Sequence, residues 1–173
     1  SLGRGLSKAP AAIGAIMESL ERYYAEAIPA SRVFVSTAER LQVGAGFFDG
    51  FSPAASRENW REREIDWIMG VDIATGALTP VPFELVHTIY TDPPPRRDGV
   101  FLRTTTGLAC HRSDLAALLH GLLECIERDA MARAFETHGL MDRMRLSLSG
   151  LGAAAQDLLS RIAEHGISAA FWY

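Results

Sequence analysis

The segment GLLECIERDA, residues 121–130, sets acids inside an apolar run: Glu124, Glu127 and Arg128 stand among Leu122, Leu123, Cys125 and Ile126. A segment of the same grammar, IMESLERY, spans residues 16–23. Shifting one onto the other, from Glu18 to Glu124, superposes Met17 on Leu123, Leu20 on Ile126, Glu21 on Glu127, Arg22 on Arg128 and Ala11 on Ala117. Apolar and acidic positions coincide together, so the two stretches read as copies of one helical unit. In the first copy Ile13, Ile16, Met17, Leu20 and Tyr24 share a face at about 100° per residue.

Working outward, Ser7 is a candidate cap for a helix over residues 11–27, with Pro10 in its first turn and Pro29 ending it. Residues 32–36 read as a short strand or connector, and residues 38–56, rich in glycine, as part short helix and part loop. From 64 to 90 the pattern is β: Ile65, Trp67 and Met69 alternate with Asp66 and Ile68, a turn falls at Ala74–Gly76, and residues 79–88 form a second extended segment. Three consecutive prolines at 93–95 exclude regular pairing in the loop 91–99. Residues 100–110 then read as a third strand running into Gly107. Ser113 or Asp114 caps the second helix, 115–135. An amphipathic helix follows over 153–164, stopped by Gly166, and a further strand starts at Ile167. Helices alternating with β segments imply an α/β or α+β layered domain.

The 173 residues allow one domain with a real core, and 48% apolar with 22% charged residues is ordinary globular composition. A net charge of −4 and the absence of any Lys/Arg-rich run argue against a nucleic-acid partner. Cys110 and Cys125 form no C-x-x-C, which argues against a disulfide framework or structural zinc and for a reducing, cytoplasmic compartment. No apolar run approaches the roughly 20 residues of a membrane span, and no signal peptide is visible. Ser1-Leu2 reads as a cloning remnant, and the apolar ending ISAAFWY leads to the expectation of the N-terminal part of a longer protein.

On either helix the two glutamates are i and i+3, neighbours at the edge of the apolar stripe rather than at the solvent pole. Gly14, one turn before Glu18, is expected to leave room for a ligand; His120 holds the equivalent place in the second copy and reads as an ordinary helix-face histidine. The plainest reading makes Glu18–Arg22 and Glu124–Arg128 surface i,i+4 pairs worth a few tenths of a kcal/mol. That reading, of a structural domain only, expects the glutamates to be fully exposed and far apart. Two copies in matched frames favour another. Four converging carboxylates repel unless cations neutralise them, hard oxygen donors of this kind suit Mg2+ together with substrate phosphates, and arginines at the rim suit phosphate oxygens. The residues therefore point to a Mg2+–nucleotide site. Outside it, His87, His138 and His165 show no partner pattern, Cys110 reads as a small buried residue, and Trp60 and Trp67 are weighed as partner contacts against a charged turn.

The first block, GRGLSKAPAAIGAIMESLERYYAE, resembles the glycine-x-glycine loop and A-x-x-S-A-x-x-E-x-x-E-R helix of the YcaO family. The second, TTTGLACHRSDLAALLHGLLECIERDA, resembles its S-x-N-G-L-A stretch and G-L-x-E-x-x-E-R-D-A helix, and IDWIMGVDIATGALTPVPFELV resembles the W-x-x-G, T-G and V-P segment between them. The resemblance covers most of the chain and implies a partial YcaO-type domain over 1–173: an α+β fold, layered helices on a mostly antiparallel sheet, with two pseudo-repeated helix units. It implies that ATP and Mg2+ are used to phosphorylate a peptide backbone amide, giving azolines or thioamides in ribosomally made peptides. Glu18, Glu21, Glu124 and Glu127 match the magnesium-holding carboxylates, and Arg128 matches a phosphate-side arginine; Arg4, Arg22, Thr106 and Arg112 are the other candidate ATP contacts. Implied partners are a peptide or protein substrate, a TfuA-like or ubiquitin-activating-like protein, and a second copy in a homodimer. The family commonly has Lys at Arg4, Ser at Gly14, Asn at Thr106, Gly-Asn at His111–Arg112 and a glutamate at Ala116. The last two departures motivate a rival, a non-catalytic member that binds a leader peptide or partner protein.

Overall fold

Helix α1 spans Lys8–Glu26 in the computed structural model, which describes residues 1–44, 59–137, 139, 141 and 145–172. Pro10 lies in its first turn, where a missing N–H costs nothing. Ser7 caps through its backbone carbonyl, which accepts the Ala11 N–H at 3.3 Å, and its side chain makes no cap bond. The chain continues through a single 3-10 turn, Ala30–Arg32, into β1, Val33–Ser36. Residues 37–44 form turns rather than the expected short helix, and the rest of that expectation lies outside the described residues.

Strands β2 (Ile65–Val71) and β3 (Leu78–Pro82) join β1 in an antiparallel sheet of order β1-β2-β3. Asp72 closes the hairpin: its carboxylate accepts the Ala74 and Thr75 N–H groups, and Gly76 adopts φ +72°, a region glycine enters without a Cβ clash. Alternation holds at Ile65 and Trp67, both buried, but fails at Met69, which faces solvent while Ile68 is buried. Trp67 is fully enclosed, with Nε1–H donating to the Ser36 carbonyl at 3.0 Å, so it is a core residue and not a partner contact. Trp60 also packs inward, edge-to-face on Phe101. The core gathers Ala38, Val43, Ile65, Trp67, Val100 and Phe101.

Two expected β segments take other forms. Residues 79–88 are extended only to Pro82, after which Phe83–Leu85 make a 3-10 turn. Among the described residues the expected third strand over 100–110 is reduced to a bridge residue at Phe101, outside the β1-β2-β3 order; its start is held by Glu84, whose buried carboxylate accepts the N–H groups of Gly99, Val100 (2.8 Å) and Phe101 (3.0 Å). Helix α2 runs Asp114–Thr137, and Ser113 rather than Asp114 caps it, its hydroxyl accepting the Ala116 N–H at 3.4 Å.

The chain divides into two compact units, Ser1–Leu122 and Leu123–Tyr173. The first contains α1, the sheet, the core and the start of α2. In the second, α2 is followed by the 3-10 turn Leu148–Gly150 and α3, Ala153–Glu164, within the expected limits, with Gly166 (φ +73°) beyond it. Among the described residues the run from Ile167 forms one bridge, Arg145 with Trp172, in place of the expected strand.

Candidate functional site

The glutamates of α1 sit where the helical pattern places them, at the edge of the stripe: Glu18 and Glu21 are both half-buried. Glu18 Oε2 accepts the Leu2 N–H at 3.1 Å, which ties the N-terminal segment to the middle of the helix. That segment also fills the space beside Gly14: a methyl group there would meet Gly3 Cα at 3.5 Å and Arg4 N at 3.6 Å. The room expected for a ligand at Gly14 is therefore taken by the chain's own backbone. Arg22 turns away from Glu18, and its Nη2 lies 3.9 Å from Glu26 Oε1 in an exposed pair. Such a contact contributes a few tenths of a kcal/mol. Arg4 is exposed.

Glu21 borders a pocket of 270 Å³ whose walls include Tyr24, Arg32, Leu108, Ala109 and Cys110. Just across Leu108 and Val86, which line both hollows, a smaller one of 190 Å³ is bordered by Thr88, Thr104, Thr106 and Gly107. Thus the second glutamate of α1 and the threonine segment, far apart in sequence, flank one short stretch of chain. Thr106 is half-buried; its N–H donates to Thr104 Oγ1 at 3.1 Å and the two hydroxyls are 2.8 Å apart. Gly107 adopts φ +83°, and its carbonyl lies so close to Gly121 that an added Cβ would approach to 2.5 Å. Arg112 is exposed at the entry to α2, and the Ala116 amide is engaged by the Ser113 cap.

In the second unit, Glu124 is half-buried and Glu127 exposed. Arg128 Nη2 stands 3.4 Å from Glu124 Oε1, so here the i,i+4 pair forms as expected. Arg133 and Asp129 repeat the contact at 2.9 Å on the exposed side. Glu18 and Glu21 belong to the first unit, Glu124 and Glu127 to the second. Among the described residues no three His, Cys, Asp or Glu side chains gather as one metal-holding group. The donor chemistry nevertheless fits a hard cation: each helix presents paired carboxylate oxygens, and three of the four glutamates are partly withdrawn from solvent.

One cluster escaped the sequence. His87, without an evident partner in the pattern, is almost fully buried, with Nε2 3.3 Å and 3.1 Å from the two Asp98 oxygens and Nδ1 accepting the Ile89 N–H at 3.1 Å. Nδ1 as acceptor places the proton of the neutral ring on Nε2, toward Asp98. Arg103 Nη1 lies 3.2 Å from Asp98 Oδ2 and donates to the Ile89 carbonyl, while its guanidinium covers the Tyr90 ring at 4.9 Å. At Asp98 Oδ2 the contact with Arg103 is ionic, and neither it nor the approach of His87 meets hydrogen-bond geometry. The only sequence signal was the concentration of charge in 96–103 beside a proline loop, which reads as solvated.

Comparison with known proteins places these residues in context. Residues 2–173 match the family described as YcaO cyclodehydratase, ATP- and Mg2+-binding. An uncharacterized protein of Methanothermobacter thermautotrophicus is 32% identical over 131 residues, covering 74% of this chain and 32% of that protein. A protein from the tfuA 3′ region of Rhizobium leguminosarum bv. trifolii is 29% identical over 168 residues, covering 95% of this chain and 39% of its own length. The chain thus spans about a third of the length of these relatives. The structure of YcaO from Methanopyrus kandleri bound with AMPPCP and Mg2+ superposes with a TM-score of 0.63 at 25% identity, over 96% of this chain and 39% of that one. A heterocyclase in complex with substrate and cofactor gives 0.68 at 17% identity, over 94% and 24%, a likeness of fold.

Proposed function

The chain belongs to the YcaO family, and from that membership we propose that it forms the part of an ATP-dependent peptide-modifying enzyme that holds Mg-ATP. The observation that carries the reading is the doubled E-x-x-E-R helix in a chain matching an ATP- and Mg2+-binding family from end to end. Glu18, Glu21, Glu124 and Glu127 supply the hard oxygen donors for Mg2+. Arg4, Arg22, Arg112 and Arg128 supply cations for phosphate oxygens, and Thr106 a hydroxyl and backbone contact. The half-burial of Glu18, Glu21 and Glu124 supports this assignment over a purely structural one, which expects full exposure. So does the meeting of Glu21 with the Leu108–Cys110 stretch around one pocket.

Bound ATP supplies the γ-phosphoryl group that turns an amide oxygen into a leaving group. This chain's residues contribute charge neutralisation and positioning, the main currency of phosphoryl transfer. Attack by a Cys, Ser or Thr side chain of the substrate, or by external sulfide, then gives an azoline or thioamide in a ribosomally made peptide. The Rhizobium relative from a tfuA region supports a TfuA-like partner, and a cytoplasmic location agrees with the reduced cysteines. Calorimetry with Mg-ATP on the intact protein tests the reading: micromolar binding that E124Q/E127Q weakens at least about tenfold supports it. The replacements Arg112 and Ala116 favour a second reading, a member that binds a leader peptide without nucleotide turnover. Absence of Mg-ATP binding by a folded protein would leave that one standing.

A further inference from the structure

The segment Asp98–Arg103 enters the threonine stretch outside the β1-β2-β3 strand order, and buried charge holds its course. Glu84 holds the N–H groups of Gly99, Val100 and Phe101. Asp98, 7% exposed, stands between His87 and Arg103, and Arg103 reaches back to the Ile89 carbonyl and over Tyr90. All anchors come from one stretch, residues 84–90. A buried ionic cluster of this kind rarely adds net stability over an apolar one, so its value lies in specifying one geometry. What that geometry delivers is the next residue: Arg103 is followed by Thr104, whose hydroxyl meets both the Thr106 hydroxyl and the Thr106 N–H.

We propose that Arg103, locked by Asp98 and the Ile89 carbonyl, is a positioning residue that presets Thr106 for nucleotide binding, with His87 holding Asp98 in place from the opposite side. The proposal rests on the Mg-ATP reading above. Arg103 itself touches no ligand in this scheme; it acts through the Thr104–Gly107 turn. A guanidinium serves better than an ammonium because one planar group meets a carboxylate, a carbonyl and an aromatic face together.

The test is a double-substitution cycle on the intact protein, reading Mg-ATP affinity by calorimetry and thermal midpoint without nucleotide. R103M is expected to weaken binding about tenfold, R103K to recover part of that loss, and R103M/T106A to bind no worse than the weaker single variant, because both act through one group. A merely structural arginine gives losses that add to those of T106A and that track the thermal midpoint. Additive losses, or unchanged affinity in R103M, overturn the proposal while leaving the Mg-ATP reading intact. If R103M folds poorly, R103K carries the cycle: a two- to threefold loss, about what one weakened contact costs, should vanish in the T106A background. Wild-type affinity in T106A also overturns the proposal, since it removes the residue through which Arg103 acts. A wild-type protein that binds no Mg-ATP fails at the earlier step and takes both readings with it.

Discussion

Glu84 shows how one side chain redirects a segment. Three backbone donors converge on its buried carboxylate, and Glu84→Gln leaves one carbonyl oxygen for three N–H groups. We expect a loss of about 2–4 kcal/mol, read as a lowered denaturation midpoint with unchanged slope. Asp72 offers a test by pH. Hydrogen bonds from the Thr75 N–H, the Thr75 hydroxyl and the Ala74 N–H hold its carboxyl below the ordinary aspartate value. A depressed folded value means that the turn's stabilisation is present above the unfolded pKa and is lost as pH falls through the folded one. An NMR titration should show the Asp72 midpoint below that of a free aspartate, with the hairpin amides following it. A midpoint at or above the ordinary value would contradict the turn geometry. Neither role was legible in sequence: Asp72 reads as any turn aspartate, and Glu84 as one polar residue in an extended run.

At the scale of elements, local pattern served the helices well. The limits of α3 follow from its periodicity and Gly166, and α1 begins within a few residues of its expected start because Pro10 marks a first turn. Gly14 and Gly121 divide the two helix units. An alanine at Gly14 meets backbone at 3.5 Å, ordinary contact, and gains helix propensity, so Gly14→Ala should be neutral or stabilising by about 0.5–1 kcal/mol. At Gly121 the added Cβ would stand 2.5 Å from the Gly107 carbonyl. Gly121→Ala should therefore cost about 1–3 kcal/mol in thermal denaturation, and it should disturb the turn carrying Thr106. Equal effects at both positions would remove the close approach of α2 to that turn. Among the described residues the expected third strand is cut short after Phe101, and extended sequence does not say whether a neighbour's edge or a carboxylate will take its donors.

For the molecule as a whole, the apolar stripes are the conspicuous feature. Ile13 and Ile16 on α1 are 62% and 59% exposed, and Leu115, Leu119, Leu122 and Leu123 of α2 are exposed as well. The helical pattern identified the stripe on α1 correctly, yet a stripe predicts burial only where something covers it. The 173-residue polypeptide should accordingly enhance ANS fluorescence strongly, and I16E/L20E should reduce that signal by about half with little change in thermal midpoint. Reduced stability without loss of dye binding would mean that these side chains support the core. No helix among the described residues is long and apolar enough to cross a membrane.

The sequence by itself determined the three long helices, the turn at Ala74–Gly76, the doubled glutamate pairs at the stripe's edge and, through those motifs, the family. Each is a statement about residues within a few turns of one another, where spacing translates directly into geometry. The tertiary structure alone decided that His87, Asp98 and Arg103 form a buried cluster, that Glu84 captures residues 99–101, and that Glu21 meets the Leu108–Cys110 stretch. Apart from the Asp98–Arg103 pair, those contacts join residues 11 to about 90 positions apart, and nothing in either partner's neighbourhood specifies the other. Their energies come from desolvation and charge pairing, which exist only once the chain has closed around them.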